Sequence, residues 1–274
     1  GLTKVQNIPY FAEMAEEYLS GIENIIFVGT RPPVSFFAYP GKKSFLSPEG
    51  AKLIEVANVY QDGKYALNCL NDLCKGKNID KRFIPSGIID VPQGGDLSVD
   101  NLGPLMASLL PEDTIVSNEA GTSGFIFASH VWDAKPCDWL SITGGSIGQG
   151  IPVATGAAVA APDRPVVCLQ GDGGAMYTIQ SLWTQARESL NVTNVIFSNK
   201  SYAILQVELE RVGALKTGDR AKSMLSMDNP EINWVSLSNS LGVPAKRTLT
   251  VEEFRKSFQE GLNTDGPSLI EIVV

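Results

Sequence analysis

Histidine and closely spaced cysteine are what this chain most lacks. His130 is the single histidine of 274 residues, and the four cysteines, Cys69, Cys74, Cys137 and Cys168, form no CxxC pair. With Cys69 and Cys74 five apart and no histidine beside them, neither a zinc pattern nor a disulfide framework is supported, and reduced, buried thiols of a cytosolic protein are expected. His130 reads as a structural or exposed residue rather than an acid–base group. Positive charge is also short: 22 basic against 30 acidic residues leave a formal charge of −8, which argues against a nucleic-acid partner. No apolar run reaches the roughly 18 to 20 residues of a membrane span, and no signal peptide is visible. A cytoplasmic protein without a membrane partner is therefore expected. What is present, 43% hydrophobic and 19% charged residues over 274 positions, suits a globular chain of one or two domains with a large core.

Strand-sized apolar runs alternate with helical periodicity, which indicates a parallel α/β architecture. Residues 1 to 78 form a first unit. It holds a helix over Ile8 to Leu19 with Phe11, Met14, Ala15 and Tyr18 on one side, a strand over Asn24 to Gly29, a proline turn after Arg31, and helix-compatible stretches at Pro48 to Val56 and Tyr65 to Lys75. Residues 79 to 97, rich in glycine, proline and charge, read as a linker. A helix follows Ser98 and ends before Pro111. Strands are expected at Thr114 to Ser117, Trp139 to Ile142, Val166 to Leu169, Val192 to Phe197, Val243 to Arg247 and Pro267 to Val274. Helices are expected at Pro152 to Ala161, Trp234 to Leu241 and Val251 to Leu262, the last capped by Thr250. The chain opens at Gly1 already in a helix-then-strand pattern, so a preceding segment is expected.

The chemistry concentrates in Pro165 to Leu205. A buried strand stops at Gly171-Asp172-Gly173-Gly174. One helix follows, with Met176, Ile179, Leu182, Trp183, Ala186 and Leu190 on one face. A second strand ends at Ser198-Asn199-Lys200-Ser201. In such a crossover both turns emerge at one edge of the sheet, which brings Asp172 and Asn199 together. Polar glycine-rich turns at 118–124 and 143–150 belong to the same edge, where open parallel sheets bind ligands. Glycines at 171, 173 and 174 allow close backbone approach, and helix-start N–H groups suit phosphate oxygens. A carboxylate beside such a cradle is most economically read as holding a cation, Mg²⁺ or Ca²⁺, with the Asn199 side-chain carbonyl and a backbone carbonyl of the polar turn as further ligands.

The segments NEAGTSG (118–124), GGSIGQGIPVATGAAVA (144–160) and GDGGAMYTIQSLWTQARE (171–188), with the asparagine turn beyond, resemble the thiamine diphosphate enzymes of the benzoylformate decarboxylase and acetolactate synthase branch. The resemblance covers essentially the whole chain. It implies an α/β fold in which residues 98–274 form the parallel-sheet diphosphate-binding domain and residues 1–78 the second half of a Rossmann-like central domain. It implies Mg²⁺ held by the side chains of Asp172 and Asn199 and the backbone carbonyl of Ser201. Gly173, Gly174 and Ala175 would meet the diphosphate, with Gly121 and Thr122 on its other side. The Gly145 carbonyl would accept a bond from the aminopyrimidine, and Ile147 would be the wedge that bends the cofactor. Ile204 is similar to a substrate-facing position, or else faces the core.

Two departures stand out. The family's paired asparagines are here Ser198-Asn199. The family's activating glutamate comes from a pyrimidine-binding domain that this chain does not contain. The implied activity is decarboxylation of a 2-oxo acid, the product being released as an aldehyde or joined to a second carbonyl compound. A catalytically inactive cofactor-binding homologue and one subunit of a two-subunit thiamine enzyme are the alternatives. FAD stays open as a further cofactor, and the resemblance implies a homodimer or homotetramer of the intact enzyme.

Overall fold

The computed structural model describes residues 6–74, 90–124, 130, 133–214 and 218–274. The chain divides into two compact units, Leu2–Phe83 and Ile84–Val274.

In the smaller unit, α1 (Ala12–Leu19) precedes β1 (Asn24–Val28), and β2 (Lys52–Ala57) pairs with β1 in parallel before α2 (Gly63–Leu73). Pro9 holds Ile8 in extended backbone, so the helix starts at Ala12 rather than Ile8. Its buried face is Ala12, Ala15 and Leu19, packed with Leu46, while Met14 and Tyr18 are exposed. The stretch from Pro48 that reads as a helix is the strand β2, aligned from Asn24 against Lys52. Its Ile54 and Val56 favour extended backbone, and the pairing with β1 decides between the two periodicities. Asp62 caps α2 by accepting the Tyr65 N–H at 2.9 Å.

The larger unit is built on six parallel strands: β3 (Ile115–Glu119), β4 (Asp138–Ser141), β5 (Val166–Gly171), β6 (Val192–Ser198), β7 (Ala245–Thr248) and β8 (Ser268–Val273), in the order β4-β3-β5-β6-β8-β7. Alternation within each strand divides the core between the two faces. Val167, Leu169, Val195, Phe197, Ile270 and Ile272 meet α3 (Val99–Leu109) and the helix Val251–Leu262 on one side. Val166, Cys168, Val192, Ile196 and Leu269 meet α4 (Gly150–Ala160) and the helix that starts at Trp234 on the other. Ala154 and Ala158 let α4 lie close to the sheet.

The single helix expected over 176–190 is two short ones, α5 (Asp172–Thr178) and α6 (Ser181–Arg187). The break at Ile179 and Gln180 resets the phase. Ile179, Leu182, Ala186 and Leu190 still pack on the core, whereas Met176 and Trp183 are exposed, with Arg187 stacked over the Trp183 ring at 5.4 Å. Buried beneath α6, the Gln185 and Asn194 side chains satisfy each other at 2.8 Å, and Asn194 also donates to the Ser268 carbonyl at 3.0 Å.

The chain continues through α7 (Ala203–Arg211), α8 (Asp219–Met224), α9 (Trp234–Ser240) and α10 (Val251–Leu262). Residues 79–89 of the expected linker lie outside the described residues. Beyond them, the Leu97 N–H donates to the Leu249 carbonyl, the Val251 N–H to the Gly95 carbonyl, and Arg255 to the Pro92 carbonyl at 2.7 Å, so residues 92–97 are stitched to the start of α10. Thr250 and Glu253 form the capping box of that helix. Thr250→Ala is expected to lower stability by about 1 kcal/mol, read as a lower urea midpoint with an unchanged slope. Among the described residues no helix is long and apolar enough to cross a membrane.

Candidate cofactor site

Strand order places the site. The chain leaves β3 to form β4 on one side, and leaves β5 to form β6 on the other. The carboxyl ends of β3 and β5 therefore flank a topological switch point, where open α/β sheets leave a crevice for ligands. Glu119 and Gln170 are register partners at those ends. The chain then turns through the 3₁₀ segment Gly121–Gly124 on the β3 side and into α5 on the β5 side.

Asp172, the first residue of α5, is 3% exposed. Its Oδ1 accepts the Gly173 N–H at 2.8 Å and its Oδ2 the Lys200 N–H at 2.7 Å. β5 and β6 are aligned Gly171 to Phe197, which brings this carboxylate against the turn after β6. Asn199 Oδ1 accepts the Ser201 N–H at 2.9 Å, and Lys200 adopts φ of +56° so that its N–H points back at Asp172. The turn is fastened from behind. Lys200 and Ser201 pair antiparallel with residues 225–227, through Met227 N–H to the Lys200 carbonyl and Tyr202 N–H to the Leu225 carbonyl. Neither bond uses the Ser201 carbonyl. Asp172, Asn199 and Ser201 thus share one edge.

The glycines after Asp172 have steric reasons. A β-carbon on Gly173 would stand 2.8 Å from the Tyr202 ring, and one on Gly174 would stand 2.5 Å from both Glu119 Oε1 and Gln170 Nε2. Ala175 points into the core and is buried. The first turn of α5 therefore presents backbone, not side chains, to the crevice, as an anion cradle needs.

The loop from Thr143 to Gly150 forms the crevice's other wall. Gly144 and Gly145 both have positive φ, +61° and +70°, so the loop reverses through left-handed backbone that glycine adopts far more readily than residues with a β-carbon. The Gly145 carbonyl accepts the Ile147 N–H at 2.9 Å and keeps a second lone pair. Ile147 itself is 53% exposed, a branched apolar side chain held out in solvent by a glycine loop.

A buried carboxylate at a helix start, glycine backbone just beyond it and an oxygen-bearing turn beside it would fit a divalent cation held next to a diphosphate. The described residues contain no cluster of three His, Cys, Asp or Glu side chains, and an oxygen-ligand site of one carboxylate, one amide and one backbone carbonyl does not need one.

Other expected features fall elsewhere. Ile204 is the second residue of α7 and half-buried, on a helix with no fully buried side chain among the described residues. Its place alone does not decide between substrate and core. His130 lies 3.7 Å from the Asp133 carboxylate and is partly exposed. Of the four cysteines only Cys168 is fully buried; Cys69 and Cys74 are exposed and Cys137 is intermediate. Cys69 lies on α2 and Cys74 is its C-cap, and no residue of that helix is fully buried. Burial pushes the Cys168 thiol up, with the Glu119 charge adding to it. Glu119, Gln170 and Lys200 carry much of the site's geometry yet are not singled out by the sequence. The alternation of Ser117 and Glu119 in a strand that ends at a glycine turn is the signal that marks Glu119 as an inward-facing carboxylate.

Residues 119–272 match the family described as "Thiamine pyrophosphate enzyme, C-terminal TPP binding domain". Over 277 aligned residues the chain is 42% identical to a Mycobacterium tuberculosis protein provisionally named acetolactate synthase large subunit IlvX, the alignment covering all of this chain and 53% of that protein. It is 29% identical over 180 residues to benzoylformate decarboxylase of Pseudomonas aeruginosa, covering 66% of this chain and 33% of that enzyme. Among solved structures, the thiamine diphosphate-dependent 4-hydroxybenzoylformate decarboxylase of Rhodococcus jostii RHA1 superposes with a TM-score of 0.80 at 27% identity, over 97% of this chain and 51% of that one. The chain thus spans about half the length of proteins that it matches from end to end. The order of the strands, the buried aspartate at the switch point and a family match that starts at Glu119 and runs to the last strand agree: this chain belongs to the thiamine pyrophosphate enzymes and carries their C-terminal cofactor-binding domain.

Proposed function

We propose that this chain supplies the diphosphate and Mg²⁺ half of the active site of a thiamine diphosphate-dependent enzyme acting on 2-oxo acids, of the acetolactate synthase and benzoylformate decarboxylase type. The observation that carries it is the buried Asp172 carboxylate, which accepts the Lys200 N–H and so ties the start of α5 to the Asn199 turn at the switch point. In this proposal Asp172, Asn199 and the Ser201 carbonyl hold Mg²⁺. Gly173, Gly174 and Ala175 meet the diphosphate from one side, and Gly121 and Thr122 from the other. The Gly145 carbonyl orients the aminopyrimidine, and Ile147 supports the rings from below. When bound, thiamine diphosphate would supply a carbon nucleophile for the 2-oxo carbonyl and a sink for the electron pair left as CO₂ departs.

The chain's own work is positional. The cation and helix-start N–H groups anchor the charged end, and the glycine loop fixes the rings relative to that anchor. Both oxygens of Glu119, the other buried carboxylate at this crevice, accept backbone N–H groups at 2.6 Å. In this proposal Glu119 serves the loop, and the activating glutamate is supplied by the family's pyrimidine-binding domain within a homodimer or homotetramer. Which 2-oxo acid is used, and whether the product is protonated or joined to a second carbonyl, depends on residues of that other half as well.

Titration calorimetry of the full-length protein with thiamine diphosphate, with and without Mg²⁺, tests the proposal. Saturable binding that requires the cation is the expected result, followed by CO₂ release from a panel of aliphatic and aromatic 2-oxo acids. Binding without CO₂ release from any of them would mark an inactive cofactor-binding homologue, and no cation-dependent binding would overturn the site.

A further inference from the structure

The glycine loop that carries Ile147 is gripped at two points by side chains of other elements. At Gly148, the N–H donates to Glu119 Oε1 at 2.6 Å and the carbonyl accepts the Thr178 hydroxyl at 2.5 Å. At Gly150, the N–H donates to Glu119 Oε2 at 2.6 Å and the carbonyl accepts the Ser117 hydroxyl at 2.8 Å. Four backbone groups of two glycines are thus satisfied by three side chains, and one carboxylate spans both. Ser117 and Glu119 face the loop together because they alternate along β3. Gln170, the register partner of Glu119, is fully buried behind it, and its Oε1 has no hydrogen-bond partner. A β-carbon on Gly150 would collide with Gln170 Oε1, and one on Gly174 would press on Glu119. The same carboxylate therefore sits between the ring-bearing loop and the helix start that bears the diphosphate.

We propose that Glu119 is a positioning residue. It acts through the N–H groups of Gly148 and Gly150 to set the height of Gly145 and Ile147 above the diphosphate anchor, and it touches neither substrate nor the reacting atoms. The proposal rests on the cofactor site argued above. It separates two functions that one crevice combines: Asp172 and the first turn of α5 bind the charged end, and Glu119 aligns the rings. An amide in place of the carboxylate keeps the size and one acceptor, but it turns an NH₂ toward one of the two glycine N–H groups.

Glu119→Gln in the full-length protein is the test. Amide hydrogen exchange of the ligand-free protein is expected to rise in the peptide containing residues 144–150 and to stay unchanged over 171–178 and 198–202. Thiamine diphosphate affinity in Mg²⁺ is expected to fall about tenfold or more, as for loss of a charge-assisted bond. Affinity for Mg²⁺–pyrophosphate, which lacks the rings, should stay within about twofold on the same grounds. Unchanged exchange in the loop, or equal losses for both ligands, overturns the positioning role. If the wild-type protein binds neither ligand, the cofactor site falls and the proposal with it, even where the loop exchange behaves as expected. Thr178→Val, isosteric and acting on the opposite side of Gly148, is expected to show the same selective pattern at about threefold. It decides the matter if Glu119→Gln does not fold.

Discussion

Asp172→Ala is expected to abolish Mg²⁺-dependent thiamine diphosphate binding, a loss of about a hundredfold or more for the proposed carboxylate ligand of the metal. Each carboxylate oxygen already accepts one backbone N–H, at 2.8 and 2.7 Å, so the side chain orients both turns and is the one charged group of the three proposed protein ligands. Alanine removes charge and orientation together. Asp172→Asn separates them, because it keeps size and one acceptor while turning an NH₂ toward the Gly173 or Lys200 N–H. Calorimetry with both variants reads the difference; cofactor affinity in Asp172→Ala equal to that of the wild type would sink the metal assignment.

The titration of this carboxyl adds a pH dependence. Burial is the largest influence and raises its pKa, against the N–H groups of Lys200, Gly173 and Asn199, which favour the ionised form. In the ligand-free protein a raised carboxyl pKa makes the ionised state a cost to stability above the unfolded pKa, relieved as pH falls through the folded value. A bound cation removes that cost and requires the ionised form. Cofactor affinity is therefore expected to decline on acidification from a pH above the range of an ordinary aspartate, about 3.9. The same series in Asp172→Asn should be flat there.

Much of this site is legible in the sequence because its parts are backbone chemistry. A strand that stops at Gly171-Asp172 and another that stops at Asn199 must emerge together if they are parallel neighbours, and the structure aligns Gly171 with Phe197. The capped helix after Thr250 is legible for a similar local reason: Glu253 answers Thr250 three residues on. Side-chain direction across the sheet is not local. Glu119 lies in a segment whose composition says only "polar turn", and its grip on Gly148 and Gly150 joins residues 29 and 31 positions apart. Helix phase fails where a break intervenes, as between Thr178 and Ser181, so Trp183 has the spacing of a core residue and the exposure of a surface one. β2 fails differently. Its residues satisfy helix periodicity, and only the neighbouring β1 selects the strand.

Arg247→Met is expected to cost about 3 kcal/mol of stability, the low end for breaking a buried ion pair by removing one partner. Glu271, in β8, is fully buried, and its two oxygens are held by Arg247 through Nε at 2.8 Å and the terminal nitrogen at 3.0 Å. Those bonds are the main reason the guanidinium pKa is raised. Methionine can replace the stem but leaves the buried Glu271 carboxylate without the guanidinium that holds both its oxygens. Because Arg247 is 39% exposed, water can enter where it stood, which is why the low end applies. The double variant Arg247→Met with Glu271→Gln removes the stranded charge and should recover about half of the loss or more. Urea unfolding checks both. A single-variant loss below about 1 kcal/mol would mean that the pair behaves as a surface pair. The consequence for the site is indirect. Arg247 also faces Glu231 at 3.5 Å, and Glu231 holds the Lys200 ammonium at 3.0 Å, one residue from Asn199. Since Glu231 keeps its Lys200 partner when Arg247 is lost, stability should fall well before cofactor affinity does. A fall in affinity as large as that for Asp172→Ala would instead make this chain of charges part of the Asn199 turn's own support.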